Sequence, residues 1–63
     1  MTTMVFGDLE IGAFFQHEGS VYRKSSDREA VLLRDPKGNI TAELTDFQPF
    51  DEVVRLVQWR SLF

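Results

Sequence analysis

Gly12-Ala-Phe-Phe-Gln-His-Glu-Gly-Ser-Val-Tyr-Arg-Lys24 decides how this chain is read. The stretch gathers two adjacent phenylalanines, the only histidine, a Glu-Gly pair, the only tyrosine and an Arg-Lys pair. That collection resembles a site in its rarity, yet its spacing predicts a β-hairpin. Ala13 to His17 is one strand, and Ser20 to Ser25, carrying β-favouring Val21 and Tyr22, is the return strand. Between them Glu18-Gly19 is a two-residue connector, with glycine where a positive φ is expected. Successive strand residues point to opposite faces. Tyr22 and Lys24 therefore share one face, while Val21 and Arg23 share the other. Phe15 and Tyr22 are expected to face inward, with Lys24 snorkelling at the rim. Phe14 then points the opposite way, either as a surface aromatic or as cover for a second small cluster.

Working outward, the rest of the chain reads as short strands separated by turns. Phe6 to Gly12 leads in, with Leu9 and Ile11 alternating with acids. Ser25-Ser26-Asp27 is turn chemistry, because short polar side chains bond to nearby backbone. Arg28 to Arg34 is a third strand. In Asp35-Pro36-Lys37-Gly38-Asn39, proline presets φ and glycine suits a left-handed residue closing a bulged hairpin. Ile40 to Leu44 returns as a fourth strand. Thr45 to Asp51 is a loop, with room for a single helical turn. Residues 52–63 allow two readings. One is a helix capped by Asp51 with Val53, Leu56, Val57 and Arg60 on one face. The other is a fifth strand, Val53 to Gln58, with a short tail. Three valines and the company of four strands favour the strand.

Five short strands in one domain spanning residues 1–63 predict an all-β fold. A small five-stranded barrel with a short C-terminal tail gives it one core and few open edges. The expected core is Phe6, Leu9, Phe15, Tyr22, Ala30, Leu32, Ile40, Leu44, Phe50 and Val53, with Val57 at its margin. Phe6, Leu9, Gly12, Phe15, Gly19, Tyr22, Lys24, Ala30, Gly38, Phe50 and Val53 together resemble the rhythm of small SH3-like barrel proteins. Such proteins are encoded by phages, prophages and mobile elements. The resemblance spans residues 6–58 and implies an SH3-like barrel, but it brings no catalytic residues with it.

Composition narrows the function. The chain has 63 residues, no cysteine, and six Phe, one Tyr and one Trp. A chain this short buries only about 60% of its unfolded surface. Its core stabilises it by on the order of 3–5 kcal/mol, and buried aromatics must supply much of that. Without cysteine there is no disulfide and no Cys-based zinc site, which fits a reducing cytoplasm. The N-terminal residues lack a basic stretch and a long apolar run, so no signal peptide is expected. No apolar run approaches the ~18 residues of a membrane span. Asn39-Ile40-Thr41 matches a glycosylation sequon that has no such context.

Net charge is −3, which opposes non-specific binding to a polyanion. The charge is uneven. Arg23, Lys24, Arg28 and Arg34 outnumber Glu18, Asp27 and Glu29 over residues 17–34, whereas acids dominate both flanks. A local basic patch of Arg23, Lys24, Arg28 and Arg34 beside Phe14 is thus the candidate nucleic-acid surface, since small barrels stack bases on aromatics next to cations.

Catalytic and metal motifs fail on their parts. His17-Glu18 begins like H-E-x-x-H, but Val21 stands where the second histidine belongs. No cofactor or metal set is expected. A nucleophile would have to be Ser or Thr with His17 as its base. Ser20 sits across a tight turn and no Gly-x-Ser-x-Gly elbow exists. A barrel this small has little room for a water-excluding pocket, so the chain is expected not to be an enzyme. The apolar, aromatic tail offers Trp59, Leu62 and Phe63 to a partner protein, to a second copy or to the chain's own core. Its Ser61-Leu62-Phe63 resembles the end of bacterial sliding-clamp-binding peptides, although Trp59 stands where those have glutamine. The expected function is a non-catalytic protein-interaction module, with a phage or mobile-element accessory protein acting on a host protein as the setting. Nucleic-acid binding is the alternative.

Overall fold

Short segments rich in β-branched and aromatic residues build six strands in the computed structural model, which describes residues 2–56. These are β1 (Thr2–Val5), β2 (Phe14–His17), β3 (Ser20–Lys24), β4 (Glu29–Arg34), β5 (Ile40–Asp46) and β6 (Glu52–Arg55). One antiparallel sheet joins them in the order β1-β6-β2-β3-β4-β5. The middle of the chain is therefore a meander, β2 to β5, and β6 returns to lie between β1 and β2. The fold is all-β, as expected, but among the described residues the sheet is open rather than closed into a barrel, with β1 and β5 at its two edges.

The count of five strands is corrected to six. Thr2–Val5 was left outside the pattern, yet it pairs with β6 through Met4 opposite Val53, and Met4 packs partly buried against the core. The C-terminal ambiguity resolves to the strand. Residues 52–55 form β6, and Val53 is 1% exposed, so no helix starts at Glu52. A 3-10 turn, Phe6–Asp8, is the one helical element among the described residues. It falls in the leading segment rather than in the 45–51 loop. That loop instead starts after a longer β5 and carries a hydrogen-bonded turn, with the Asp51 amide donating to the Gln48 carbonyl at 3.1 Å. Val57 lies outside the described residues.

The predicted hairpin forms with strand ends within one residue of expectation. Phe15 stands opposite Tyr22 and His17 opposite Ser20. Both connector residues take positive φ, Glu18 at 50° and Gly19 at 82°. Two such residues twist with the right-handed strands they join, which is why this turn closes a tight hairpin.

The inner face of the sheet carries the core. Phe6, Phe15 and Val53 are fully buried, joined by Leu9, Ala13, Tyr22, Ala30 and Phe47. Phe6 stacks on Phe47 with ring centroids 4.9 Å apart, and Phe15 stacks on Tyr22 at 5.2 Å. Phe47 also meets Phe15 and Tyr22 edge-on, at 5.3 and 5.0 Å. Stacked and edge-to-face pairs add about 0.5–1.5 kcal/mol each beyond area burial, a large share for a chain of this size.

Two chain segments lid this core. The Phe6 amide donates to the Asp51 carbonyl at 2.7 Å, and the Gly7 amide to the Pro49 carbonyl at 2.8 Å. The approach is so close that a Cβ on Gly7 would sit 3.0 Å from the Pro49 oxygen.

Three expected core residues are surface residues: Ile40, Leu44 and Phe50 are 65%, 61% and 72% exposed. Ile40 and Leu44 stand opposite Arg34 and Val31, on the outer face of an edge strand. Phe47 takes the place expected of Phe50. Its amide donates to the Arg28 carbonyl at 2.7 Å, which holds it at the end of β5 over the core, and the following turn carries Phe50 outward.

Candidate functional site

Strand alternation divides the expected site residues between two faces that share no surface. On the inner face, Lys24 is 4% exposed and its Nζ points inward. It donates to the Phe6 carbonyl at 2.9 Å and to the Leu9 carbonyl at 2.6 Å. The ammonium also lies 4.6 Å from the centroid of the Phe6 ring. The 3-10 turn leaves these carbonyls facing the core, and a charged donor meets them there. This corrects two expectations. Lys24 does not snorkel from a rim, and it is not part of a nucleic-acid surface. It fastens the residue 6–9 turn to β3. Tyr22, also expected inward, is 9% exposed and surrounded by aromatic rings, so it is not a stacking platform.

The outer face brings Phe14 and Arg23 together. They are direct cross-strand partners, and the Arg23 guanidinium lies 5.4 Å from the Phe14 ring centroid. Its Nε donates to the Gly12 carbonyl at 3.3 Å, so the cation is held over the ring. The row continues through Val31 to Leu44. The next row runs Val54, Gln16, Val21, Arg34 and Ile40. Val21, 6% exposed, is buried within it. The outer face is therefore an apolar surface studded with two arginines, Arg23 and Arg34. Arg28 stands apart from these rows, exposed in the turn between β3 and β4.

His17 ends β2 and ties the hairpin to the start of β6. Its Nδ1 lies 3.1 Å from the Glu52 carbonyl and its Nε2 3.2 Å from the Glu18 carboxylate. The ring meets Phe47 edge-on at 5.3 Å. This is a packing role at the hairpin end. Among the described residues no three His, Asp or Glu side chains converge as a metal site would require. No described helix is long and apolar enough to cross a membrane.

The concavities are open surface grooves. One of about 310 Å³ lies between the two hairpin turns, bordered by Gln16, Gly19, Val21, Arg34 and Pro36. Another of about 390 Å³ borders Glu10, Phe14, Arg23 and Arg55, where Arg55 and Glu10 form an exposed ion pair at 2.6 Å. Trp59, Leu62 and Phe63, the expected partner-binding residues, lie outside the described residues.

Sequence reasoning missed Val31 and Leu44 as surface residues. The signal was present in the strand period: Arg23 pairs with Val31, and Val31 with Leu44, so all three share the face opposite Tyr22. Comparison with protein-family models, curated proteins and solved structures finds no match for this chain.

Proposed function

We propose that this protein is a non-catalytic protein-interaction module that docks a partner on the outer face of its sheet. One observation carries the reading: Phe14, Arg23, Val31 and Leu44 form a cross-strand row of apolar surface around a single pinned cation. Aromatic and arginine anchors set among aliphatic residues are the composition of binding hot spots. The inner face, by contrast, is sealed by its own aromatics and Lys24. The finer fold reading, an SH3-like barrel, is supported by the β2–β5 meander with β6 returning beside β2. On that reading the protein is a cytoplasmic accessory factor of a phage or mobile element acting on a host protein. Trp59, Leu62 and Phe63, outside the described residues, are proposed as further partner-binding residues.

Affinity capture from host lysate tests the proposal when run beside Phe14→Ser and Leu44→Asp. A specific protein retained by the natural chain and lost by both variants supports it. Equal retention by all three sinks it.

Nucleic-acid binding is the second reading, favoured by the Phe14–Arg23 stack, a ready platform for a base. It now rests on Phe14, Arg23, Arg34 and the more distant Arg28, since Lys24 is buried. Low-salt gel shifts with single- and double-stranded probes decide it, and an Arg23→Gln variant should weaken any shift.

A further inference from the structure

We propose that β5 pairs with β5 of a second copy of this chain, antiparallel and centred on Ala42. The proposal shares Leu44 with the docking face but does not depend on that reading.

Four observations on the edge strand converge. First, β5 spans Ile40–Asp46, the longest of the described strands, with no proline or lysine, and one of its sides has no neighbour among the described residues. Such an edge presents unpaired N–H and C=O groups to another strand. Second, two of the large exposed hydrophobics, Ile40 and Leu44, are on it. Third, its pairing to β4 slips between Leu32 and Arg34, passing from Glu43 to Ile40 without direct partners for Thr41 and Ala42. A bulge of this kind disrupts the ladder locally, so the centre of β5 is held less by its own sheet. Fourth, Ala42 at its centre is exposed and carries only a methyl group, so a second strand can approach closely there.

The register follows from the strand period. A two-fold axis normal to the sheet keeps both outer faces on one side, so only residues of equal parity oppose each other. Centring on Glu43 sets two like charges face to face, which is unfavourable. Centring on Thr41 pairs only residues 40–42. Centring on Ala42 pairs residues 40–44 of each copy. Ile40 of one chain then meets Leu44 of the other twice, covering both exposed hydrophobics. Thr41 lies opposite Glu43 of the second copy, a polar pair that brings no like charges together. Asp46 lies opposite Gly38, beside Lys37, so the strand ends match in charge. The two outer faces join into one surface bearing two Arg23 and two Arg34 side chains.

The chain has no cysteine, which makes single-cysteine cross-linking a clean test. Directly opposed residues have Cα atoms roughly 4.5–5.5 Å apart, within the span of a disulfide. Ala42→Cys should therefore form a covalent dimer under mild oxidation. Ile40→Cys or Leu44→Cys alone should not, because each lies about 13 Å along the strand from its own symmetry mate. A mixture of those two variants should cross-link. Sedimentation should give a reversible dimer for the natural chain, and Ala42→Lys should weaken it at least tenfold without changing the fold by circular dichroism. A natural chain that stays monomeric at millimolar concentration overturns the proposal. So does an Ala42→Cys chain that links no faster than Ile40→Cys, and linking of Glu43→Cys in its place overturns the register.

Discussion

The two long hairpins of this sheet look alike in sequence and differ in almost every physical respect. β2–β3 turns through Glu18-Gly19 in the middle of the sheet, with β6 on one flank and β4 on the other. β4–β5 turns through residues 35–39 and ends at an open edge. In the first hairpin β3 is buried at every position except Arg23. In the second, β5 has no fully buried residue. In both strands the period of two chooses the face, whereas burial is set by what lies on either side of the strand. Ile40 and Leu44 alternate as a core strand should, but on the outer face of an edge.

The sharpest way to break this contrast is to truncate one side chain from each hairpin. Phe15→Ala should cost about 3–5 kcal/mol, as much as a domain of this size possesses. The chain should be unfolded in buffer by circular dichroism. Leu44→Ala should change stability by no more than about 0.5 kcal/mol in urea titrations of the monomer. A large loss from Leu44→Ala would place β5 in a core after all.

Next in size is Lys24→Met, which keeps the aliphatic stem and removes the charge. Phe6 retains the Leu9 amide as a donor to its carbonyl at 3.1 Å. The Leu9 carbonyl is the one that loses its donor, and a buried acceptor so orphaned costs about 1–3 kcal/mol. The same charge removed from the outer face, Arg23→Gln, should cost less than about 0.5 kcal/mol. Thermal melts of the two variants side by side measure the difference.

Gly7→Ala is of the same order. The added methyl would stand 3.0 Å from the Pro49 carbonyl oxygen and 3.1 Å from its Cβ. Backbone must give way there, and overpacking of this kind typically costs about 1–3 kcal/mol. Amide exchange should quicken first at Phe6 and Gly7, whose hydrogen bonds hold the 47–51 segment over the core.

How far these differences were legible in the sequence depends on whether they are local. The hairpin turns were, because Gly19 and Gly38 each take the positive φ that glycine alone adopts without strain. The inward row Phe15, Tyr22, Leu32 was legible from strand period. β1 was not, since Thr2–Val5 is too short to show a period and owes its place to β6, some fifty residues away. Phe47 against Phe50 was decided by one hydrogen bond to Arg28 and one four-residue turn. Lys24 was assigned the correct face and the wrong surroundings. Nothing in its own strand announces that a turn at residues 6–9 will aim two carbonyls at it. For the candidate surface, Phe14 and Arg23 were visible as neighbours, but Val31 and Leu44 needed the register of two further strands.

Asp35 gives the finest test, because it mirrors Lys24 on the other hairpin. Lys24 gathers carbonyls inside the core. Asp35 gathers amides at a turn: its Oδ1 accepts from the Asn39 amide at 2.8 Å and the Lys37 amide at 3.0 Å, and its Oδ2 from the Asn39 side chain at 3.2 Å. The Asn39 backbone amide, foremost among these donors, holds the carboxyl below its ordinary value of 3.8. Hydrogen bonds to the charged form have that effect. A carboxyl depressed in the folded state contributes stability that is present above its unfolded value, near pH 4. That contribution is lost as pH falls through the lower folded value. Asp35→Asn should therefore flatten the acid limb of the stability curve below about pH 4, while stability at neutral pH changes little because solvent screens the exposed site. Carboxyl chemical shifts should show Asp35 titrating below 3.8. A titration at or above that value would mean the turn is held by Pro36 and Gly38 alone. The two hairpins would then differ in kind: one fastened by a charge, the other by backbone preference.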